Sequence, residues 1–228
     1  MEAMLKDIVR EFGIDSKQAR ELQANYNIKP TEDLYVITKD KISVASWGMI
    51  APWSKSTPEA QKSQSKAINA RSETVHEKPT FKNAFRRSRC LVPATGYYEW
   101  ATELGEYKPR QPIYVCRNDG KMLAFAGIHD RWTSPGGETK DSVSIITREA
   151  VGDLAKVHSR MPMFLPRDRW SNWLDPHLQD IEEIRSLFEN FQPDANLRFW
   201  PVADSVNSIR SNGPELIAEV DIVPETLF

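Results

Sequence analysis

The chain has 228 residues, of which 40% are hydrophobic and 27% are charged, a balance typical of a soluble globular protein. A chain of this length buries roughly 70% or more of its unfolded surface, so we expect a self-sufficient core. The formal net charge of -2 excludes a protein coated all over with basic residues for general nucleic-acid binding. A basic groove on one face stays compatible with it, because the relevant field is local.

The compartment is predicted from the first residues, the apolar runs and the cysteines. No apolar run approaches the ~18 residues of a membrane span. The start, from Met1 to Asp7, lacks the basic residues and apolar stretch of a secretory signal. Only Cys90 and Cys116 are present, which excludes a disulfide framework and a four-cysteine zinc site. We therefore expect a cytoplasmic protein, and we expect no metal or other cofactor.

Apolar periodicity predicts many short elements along the chain. Helical spacing followed by Gly13 predicts a first helix over about residues 4–12. The tract 54–66 lacks apolar periodicity, which predicts an exposed loop. Thr80 is a candidate cap for a short helix carrying Phe81, Ala84 and Phe85, and further helices are predicted at 149–157, 166–174 and 179–191. Strands are predicted at 34–38, 42–47, 90–92, 97–101, 112–117, 122–128, 142–147, 197–202 and 216–220.

The order of these elements predicts the fold class. Asn118-Asp119-Gly120 is a favourable hairpin turn, which predicts antiparallel pairing of the strands on either side. Strands dominate, and no repeat, low-complexity tract or linker interrupts them. The sequence therefore predicts a single α+β domain over residues 1–228, with a mostly antiparallel sheet and flanking helices.

Glu99 lies in the run from Cys90 to Trp100, whose other residues are typical of a buried strand. An ionised carboxylate in such surroundings costs several kcal/mol unless it is paired or hydrogen-bonded. Glu99 is therefore a candidate acid or base. An ion pair with one of the many arginines explains it equally well.

Two other segments place polar residues between apolar ones, Asn69 in the run 68–74 and His158 in the run 157–162. The ordinary pKa of a histidine, ~6.5, suits proton transfer, although a lone histidine is often a hydrogen-bonded core residue. Asn69 also fits a turn or cap. A tryptophan beside a proline, such as Trp53, could stack on a nucleotide base, although most aromatic residues here are expected in the core.

Cys90, together with His158 and Glu99, suggests a thiol peptidase as an alternative function. The neighbouring Arg89 would lower the pKa of the thiol. Against this, no glycine-rich elbow or oxyanion-like turn stands beside Cys90, and buried cysteines are commonly inert. The surrounding sequence therefore argues against this alternative.

Five motifs and one early element stand in a fixed order along the chain. They are the early element 25–30, with the pattern Tyr-Asn-x-x-Pro, and the motifs 47–53, 69–74, 89–100, 126–132 and 158–162. In order and spacing they resemble the SRAP family, the SOS response-associated peptidases. The resemblance implies an α+β domain around a barrel-like sheet, with a basic cleft that binds single-stranded DNA and reacts with abasic sites in the DNA damage response.

The resemblance also implies roles for particular residues. Asn69 would hydrogen-bond the reacting sugar, Glu99 would act on it as acid or base, and His158 would assist proton transfer. These three are the predicted catalytic residues. The predicted DNA-binding residues hold phosphates or support the bases beside the lesion, and they are Pro30, Trp53, Arg71 and Arg160.

The predicted nucleophile is the weakest match to the family. Members of the SRAP family begin Met-Cys-Gly-Arg, and the terminal cysteine forms a thiazolidine with the ring-opened sugar. The same site cleaves the DNA or reverses this crosslink. This chain begins Met1-Glu2-Ala3-Met4, so we expect a segment to be missing, the alternative being a variant without the nucleophile. A module of the same fold that binds DNA or protein without catalysis is a further alternative.

Overall fold

The computed structural model describes residues 5–14, 19–102, 107–188 and 196–221. Its α-helices are α1 (Leu5–Phe12), α2 (Thr57–Lys66), α3 (Lys82–Arg87), α4 (Trp170–Trp173) and α5 (Ile181–Ser186). Its strands are β1 (Asp33–Ile37), β2 (Ile42–Trp47), β3 (Asn69–Arg71), β4 (Arg89–Ala94), β5 (Gly96–Trp100), β6 (Pro112–Arg117), β7 (Leu123–Thr133), β8 (Thr139–Glu149), β9 (Arg160–Pro162) and β10 (Leu197–Pro201). Short 3₁₀ helices lie at Gly152–Lys156, Arg167–Arg169, Asp204–Asn207 and Pro214–Ile217.

The larger of the two sheets has seven strands and closes on itself. Its order is β2-β1-β4-β7-β8-β3, and β9 also pairs with β8. A parallel pairing of β2 with β8, through Ser46 opposite Ser142 and Trp47 opposite Val143, completes the ring. β3 also pairs with β8 in parallel, while the other pairings are antiparallel. The predicted fold class, α+β with a mostly antiparallel, barrel-like sheet, is confirmed.

The smaller sheet is antiparallel, in the order β10-β6-β5. Side chains alternate across β6: Ile113 and Val115 pack into the core shared with the larger sheet, while Tyr114 and Cys116 pack on the opposite face with Val202. β5 is an edge strand of this sheet, and it carries Glu99. The edge strand β5 thus places the Glu99 carboxylate beside the barrel.

Helices α1, α3, α4 and α5 contribute to one apolar cluster, whereas Ala60 of α2 belongs to another. Ile8 of α1, Phe85 of α3 and Trp173 of α4 are fully buried members of one apolar cluster. Burying an aliphatic or aromatic side chain of this size stabilises a fold by about 1.5–3 kcal/mol. In the ranges that the structure describes, no helix is both long enough and apolar enough to cross a bilayer. That residues 1–228 form a single domain stays a prediction.

The turn Asn118-Asp119-Gly120 does not join two paired strands, so the hairpin prediction is wrong. β6 pairs with β5 and β10 in the smaller sheet, whereas β7 pairs with β4 and β8 in the larger one. The tight turn itself forms, with Gly120 at a φ of 71° and the Asp119 carboxylate accepting bonds of 2.9 and 2.6 Å from Arg117. A turn sequence fixes local geometry, but the buried faces of the two strands select their partners.

The exposed loop predicted at 54–66 is wrong for most of its length, because α2 occupies Thr57–Lys66. The Ser56 hydroxyl accepts a bond from the Glu59 N–H, and a proline stands in the first turn, both of which favour a helix start. Only Ala60 and Gln64 of α2 are buried. The helix has almost no apolar stripe, so periodicity did not reveal it.

Other element predictions need smaller corrections. The helix predicted at 149–157 is a 3₁₀ helix over Gly152–Lys156, because β8 continues to Glu149. The strand predicted at 216–220 is a single bridge, between Val202 and Glu219, that follows a 3₁₀ helix. The helix predicted to be capped by Thr80 has Phe81 at its N-cap position, without a side-chain cap bond. The helix predicted at 179–191 is α5, and residues 189–191 lie outside the described residues.

Candidate active site beside the edge strand

A cavity of about 700 Å³ lies where β5 meets the barrel. Five separate stretches of the chain contribute to its lining, around Asn27, Asn69, Glu99, His158 and Ser208. The fold therefore brings the three predicted catalytic residues, which are far apart in the sequence, to one cavity. Their catalytic roles stay predictions.

The local sequence explains how Glu99 and Asn69 reach this cavity. Gly96 begins β5, where a Cβ atom would lie 2.3 Å from the Tyr114 hydroxyl oxygen, so the close packing of the two strands requires glycine. Glu99 then stands opposite Ile113 of β6. Asn69 begins β3 and stands opposite Ile145 of β8. Both residues are thus held by strand pairing rather than by mobile loops.

The Glu99 carboxylate has few partners for a group that is only 24% exposed. One oxygen accepts a 3.2 Å bond from the Trp100 N–H and lies 4.0 Å from Nδ1 of His158. Burial raises the pKa of Glu99, against the opposing effects of His158 and the Trp100 N–H. No arginine of the described chain forms an ion pair with it, so its titratable neighbour is the His158 imidazole, which carries a charge only when protonated.

His158 is oriented by the chain that follows it. Its Nδ1 accepts a 3.0 Å bond from the Arg160 backbone N–H. The Arg160 carbonyl oxygen lies 3.2 Å from the same nitrogen, so Nδ1 meets a donor in one tautomer and an acceptor in the other, and both contacts hold the ring in place. Two titratable groups therefore lie side by side, and one of them holds its proton to a higher pH than an exposed glutamate does. That arrangement suits an exchange of protons with a bound molecule.

Arg160, a predicted DNA contact, is held by Glu73. Its guanidinium donates to the two carboxylate oxygens of Glu73 at 2.7 and 3.0 Å, and to the Thr147 carbonyl at 2.8 Å. This pairing lowers the pKa of Glu73. A phosphate that bound Arg160 would therefore compete with Glu73. Sequence reasoning missed Glu73, although opposite charges in two motifs that share a site are a usable signal.

The other predicted DNA-binding residues lie in different positions. Pro30 and Arg71 line the cavity. Trp53 is 57% exposed and does not belong to the lining. The structure thus separates Trp53 from the cavity wall, and its role stays a prediction.

Asn27 organises one wall of the cavity and was not singled out as a site residue. It is buried, and its amide Nδ2 lies 3.1–3.2 Å from the carbonyl oxygens of Val206, Ser208 and Ser211. These bonds join the early Tyr-Asn-x-x-Pro element to a loop near the other end of the described chain. An asparagine can supply such a bridge because its amide carries two donor hydrogens.

The two cysteines lie away from this chemistry. Cys90 is fully buried and is absent from the cavity lining, and burial raises the pKa of its thiol. A thiol of this kind is a poor nucleophile. Cys116 is buried as well. These positions count against the thiol peptidase alternative.

A sequence model of the family described as SOS response associated peptidase (SRAP) matches residues 1–209. The chain belongs to the SRAP family. It is 32% identical over 216 residues to the abasic site processing protein YoqW of Bacillus subtilis (strain 168), an alignment that covers 92% of this chain and 93% of that protein. It is also 34% identical over 203 residues to the abasic site processing protein HMCES of Mus musculus, which covers 78% of this chain and 56% of that protein.

Solved structures resemble this SRAP fold over nearly its whole length. A protein from Bacteroides thetaiotaomicron superposes with a TM-score of 0.85 at 27% identity, covering 96% of this chain and 97% of that one. A protein from Bordetella bronchiseptica gives a TM-score of 0.74 at 26% identity, covering 89% and 97% of the two chains. The family assignment and the architecture therefore agree.

Proposed function

We propose that this SRAP protein binds single-stranded DNA at abasic sites and processes the exposed sugar as part of the response to DNA damage. The observation that carries the proposal is the Glu99 carboxyl group, with a raised pKa, 4.0 Å from His158 in a cavity that Asn69 also lines. Relatives that align over most of this chain are named abasic site processing proteins. We propose a cytoplasmic location, as expected from the sequence.

The chemistry of an abasic sugar fits this pair of groups. The sugar is a closed hemiacetal, and opening it requires one group to take the proton of the C1′ hydroxyl while another protonates the ring oxygen O4′. The C1′–O4′ bond breaks, an aldehyde forms at C1′, and no net proton is gained or lost. Glu99 and His158 would share the two proton transfers, and the Asn69 amide would orient the sugar by hydrogen bonding.

DNA binding would use the basic residues around the cavity. Arg71 is exposed and lies on the lining, where it would hold a phosphate, while Pro30 and Trp53 would support neighbouring bases. Arg160 would join them when a phosphate displaces Glu73. Because such contacts release counterions, binding would weaken as salt increases. A flexible single strand can bring its sugar into the cavity without the cost of opening a duplex.

The aldehyde formed at C1′ reacts onward only with a nucleophile. Crosslinking as a thiazolidine requires an amine and a thiol on one terminal residue, and residues 1–4 lie outside the described residues. The family's Met-Cys-Gly-Arg start, with its methionine removed, offers both groups on one residue. A chain to which this start is added should form an SDS-resistant adduct with abasic DNA that the same chain with serine in place of the added cysteine does not form.

The test of the proposed function uses end-labelled single-stranded DNA with one abasic site, and the same DNA with a tetrahydrofuran analogue that has no aldehyde. Strand cleavage and SDS-resistant adducts are measured on denaturing gels. We expect lesion-dependent products from the wild type and from Glu138→Gln, an exposed control. Glu99→Gln should be slower by about 10²–10⁴-fold, the contribution typical of a general acid or base.

Two results would count against the proposal. Absence of any lesion-dependent product, together with equal affinity for intact and abasic strands, would overturn it. Lesion-dependent products at equal rates from Glu99→Gln and Glu138→Gln would remove Glu99 from the chemistry. Selective binding of abasic DNA without any product would instead support a module that binds without catalysis.

A further inference from the structure

Two of the three large apolar side chains that are exposed among the described residues lie at the cavity, and the third, Trp53, lies outside its lining. Ile209 is 77% exposed and Trp100 is 39% exposed, and both belong to the lining. A single exposed isoleucine on a protein surface needs no explanation. This one stands at the rim of a cavity that holds a titratable pair, on a loop that is fixed in place.

The loop that carries Ile209 is anchored on both sides. The Ile209 carbonyl accepts a 2.7 Å bond from the Lys29 ammonium group, and the Ser208 and Ser211 carbonyls accept bonds from the buried Asn27 amide. The Arg210 N–H donates to the Ser208 hydroxyl at 3.3 Å. Many bonds therefore hold the backbone, while the isoleucine side chain itself projects into solvent.

Trp100 provides a second apolar surface beside this rim. Its indole N–H donates a 2.8 Å bond to the Asn207 side chain, which fixes the ring next to the loop. Asn207 and Ile209 lie on the same short segment. The rim thus presents an aliphatic and an aromatic surface. The Lys29 ammonium group lies beside it, 2.7 Å from the Ile209 carbonyl oxygen and 3.7 Å from the Glu32 carboxylate, and the exposed Arg210 follows Ile209 in the chain.

We propose that Ile209 is a wedge that fills the gap left by the missing base and packs against the face of the neighbouring base. This inference rests on the proposed function and adds a residue that recognises the lesion. Loss of a base uncovers the flat apolar face of its neighbour, and aliphatic side chains inserted at base steps are an established way of holding distorted DNA. The restricted side chain of isoleucine loses little rotational freedom on contact.

The surroundings favour DNA over a protein as the occupant of this rim. Arg210, next to Ile209 in the chain, is a cation that complements a phosphate, and Lys29 becomes a second one where a phosphate takes the place of Glu32, 3.7 Å away. A protein interface of standard size buries about 800 Å² on each partner, whereas the apolar surface here is one isoleucine and part of one tryptophan. A nucleotide is of a size to match it.

The test uses the tetrahydrofuran analogue, so that binding is measured without covalent chemistry. The base beside the analogue is replaced by 2-aminopurine, whose fluorescence is quenched by stacking and rises when its neighbours are pushed apart. Wild type should increase the fluorescence and should bind the analogue more tightly than an intact strand. Ile209→Ser should lose most of the fluorescence increase. Its preference for the analogue over the intact strand should fall about tenfold, as expected for removing one apolar contact. Ile209→Leu should retain both.

The outcomes separate this inference from the proposed function. An equal fluorescence rise and an equal preference in wild type and Ile209→Ser would overturn the wedge and leave the proposed function standing. No preference for the analogue in wild type would overturn the wedge, and the proposed function would fall with it only if lesion-dependent products were absent as well. Because Ile209 is exposed, Ile209→Ser should unfold at the same urea concentration as wild type, and a shift would show instead that the side chain supports the fold.

Discussion

Arg89 and Glu99 stand at opposite ends of one motif, and both place a charged side chain among apolar residues. The Arg89 guanidinium donates five hydrogen bonds of 2.5–2.9 Å to backbone carbonyls, and its carbon lies 5.5 Å from the centre of the Trp173 ring. The acceptors are the carbonyls of Phe85, Arg86, Trp173, Asp175 and Leu178. The Glu99 carboxylate has one backbone donor and a histidine at 4.0 Å.

The difference separates a structural charge from the charge that we propose is reactive. Burial lowers the pKa of Arg89 to about 10, so the group stays protonated at neutral pH, and all five of its N–H donors are used. The pKa of Glu99 is raised, and its oxygens retain free acceptor capacity toward the cavity. A charged group whose hydrogen-bonding capacity is fully used stabilises the structure. A titratable group in a cavity that has hydrogen-bonding capacity to spare can act on a ligand.

The largest expected effect on stability comes from removing the fully hydrogen-bonded charge of Arg89. Arg89→Met should lower the free energy of unfolding by at least about 3 kcal/mol, because five buried or partly buried carbonyls lose their donors. Urea unfolding followed by circular dichroism measures this loss. Arg87→Met, at an exposed neighbouring position, should change stability by less than about 0.5 kcal/mol. Equal midpoints for the two variants would show that the Arg89 network is dispensable.

Glu99→Gln should have the opposite sign and stabilise the protein at pH 8. The folded state holds the Glu99 proton more tightly than the unfolded chain, so stability falls as pH rises through the raised pKa. The glutamine amide removes the cost of burying a charge. The free energy of unfolding should therefore rise by about 1 kcal/mol, a gain that is common when a functional-site residue is replaced. At pH 4, where the carboxyl group is largely protonated, the gain should vanish. A variant less stable than wild type at pH 8 would contradict a buried, poorly satisfied carboxylate.

Glu73→Gln should lower stability slightly, because it replaces the charged partner of Arg160. The pair is half-exposed on the Glu73 side, so we expect no more than about 1 kcal/mol at pH 7. The pKa of Glu73 is lowered, so its contribution is present above the usual glutamate range and is lost as pH falls through the lowered value. Urea unfolding at pH 7 and at acidic pH, with Glu138→Gln as the control, measures it.

Glu73→Gln also tests how Arg160 differs from Arg89. The partner of Arg160 is a carboxylate that a phosphate can replace, whereas the partners of Arg89 are backbone carbonyls. Releasing Arg160 from Glu73 should raise the affinity for single-stranded DNA about threefold and steepen the salt dependence by about one phosphate contact. Fluorescence anisotropy at several salt concentrations measures both. Weaker binding by Glu73→Gln would show that Glu73 orients Arg160 for DNA instead of competing with it.

The sequence reveals Glu99 because a carboxylate inside an apolar strand is visible locally, and ordered motifs place Asn69 and His158 with it. Other parts of the site are invisible locally. Asn27 belongs to the early Tyr-Asn-x-x-Pro element, but its contact with Val206 spans 179 positions, and neither local sequence predicts that the two residues meet. The hairpin failed for a related reason, since the turn at 118–120 specifies a bend without specifying which strands pair. α2 escaped detection because its polar surface leaves almost no apolar pattern.

The most direct test of Glu99 as the reactive charge is the pH dependence of product formation on abasic single-stranded DNA, measured in single turnovers with wild type and Glu99→Gln. The wild-type rate should change through an inflection above the ordinary glutamate pKa of 4.5, and the inflection should disappear, with a lower rate, in Glu99→Gln. An unchanged rate and an unchanged pH profile in the variant would contradict the assignment of Glu99 to the chemistry.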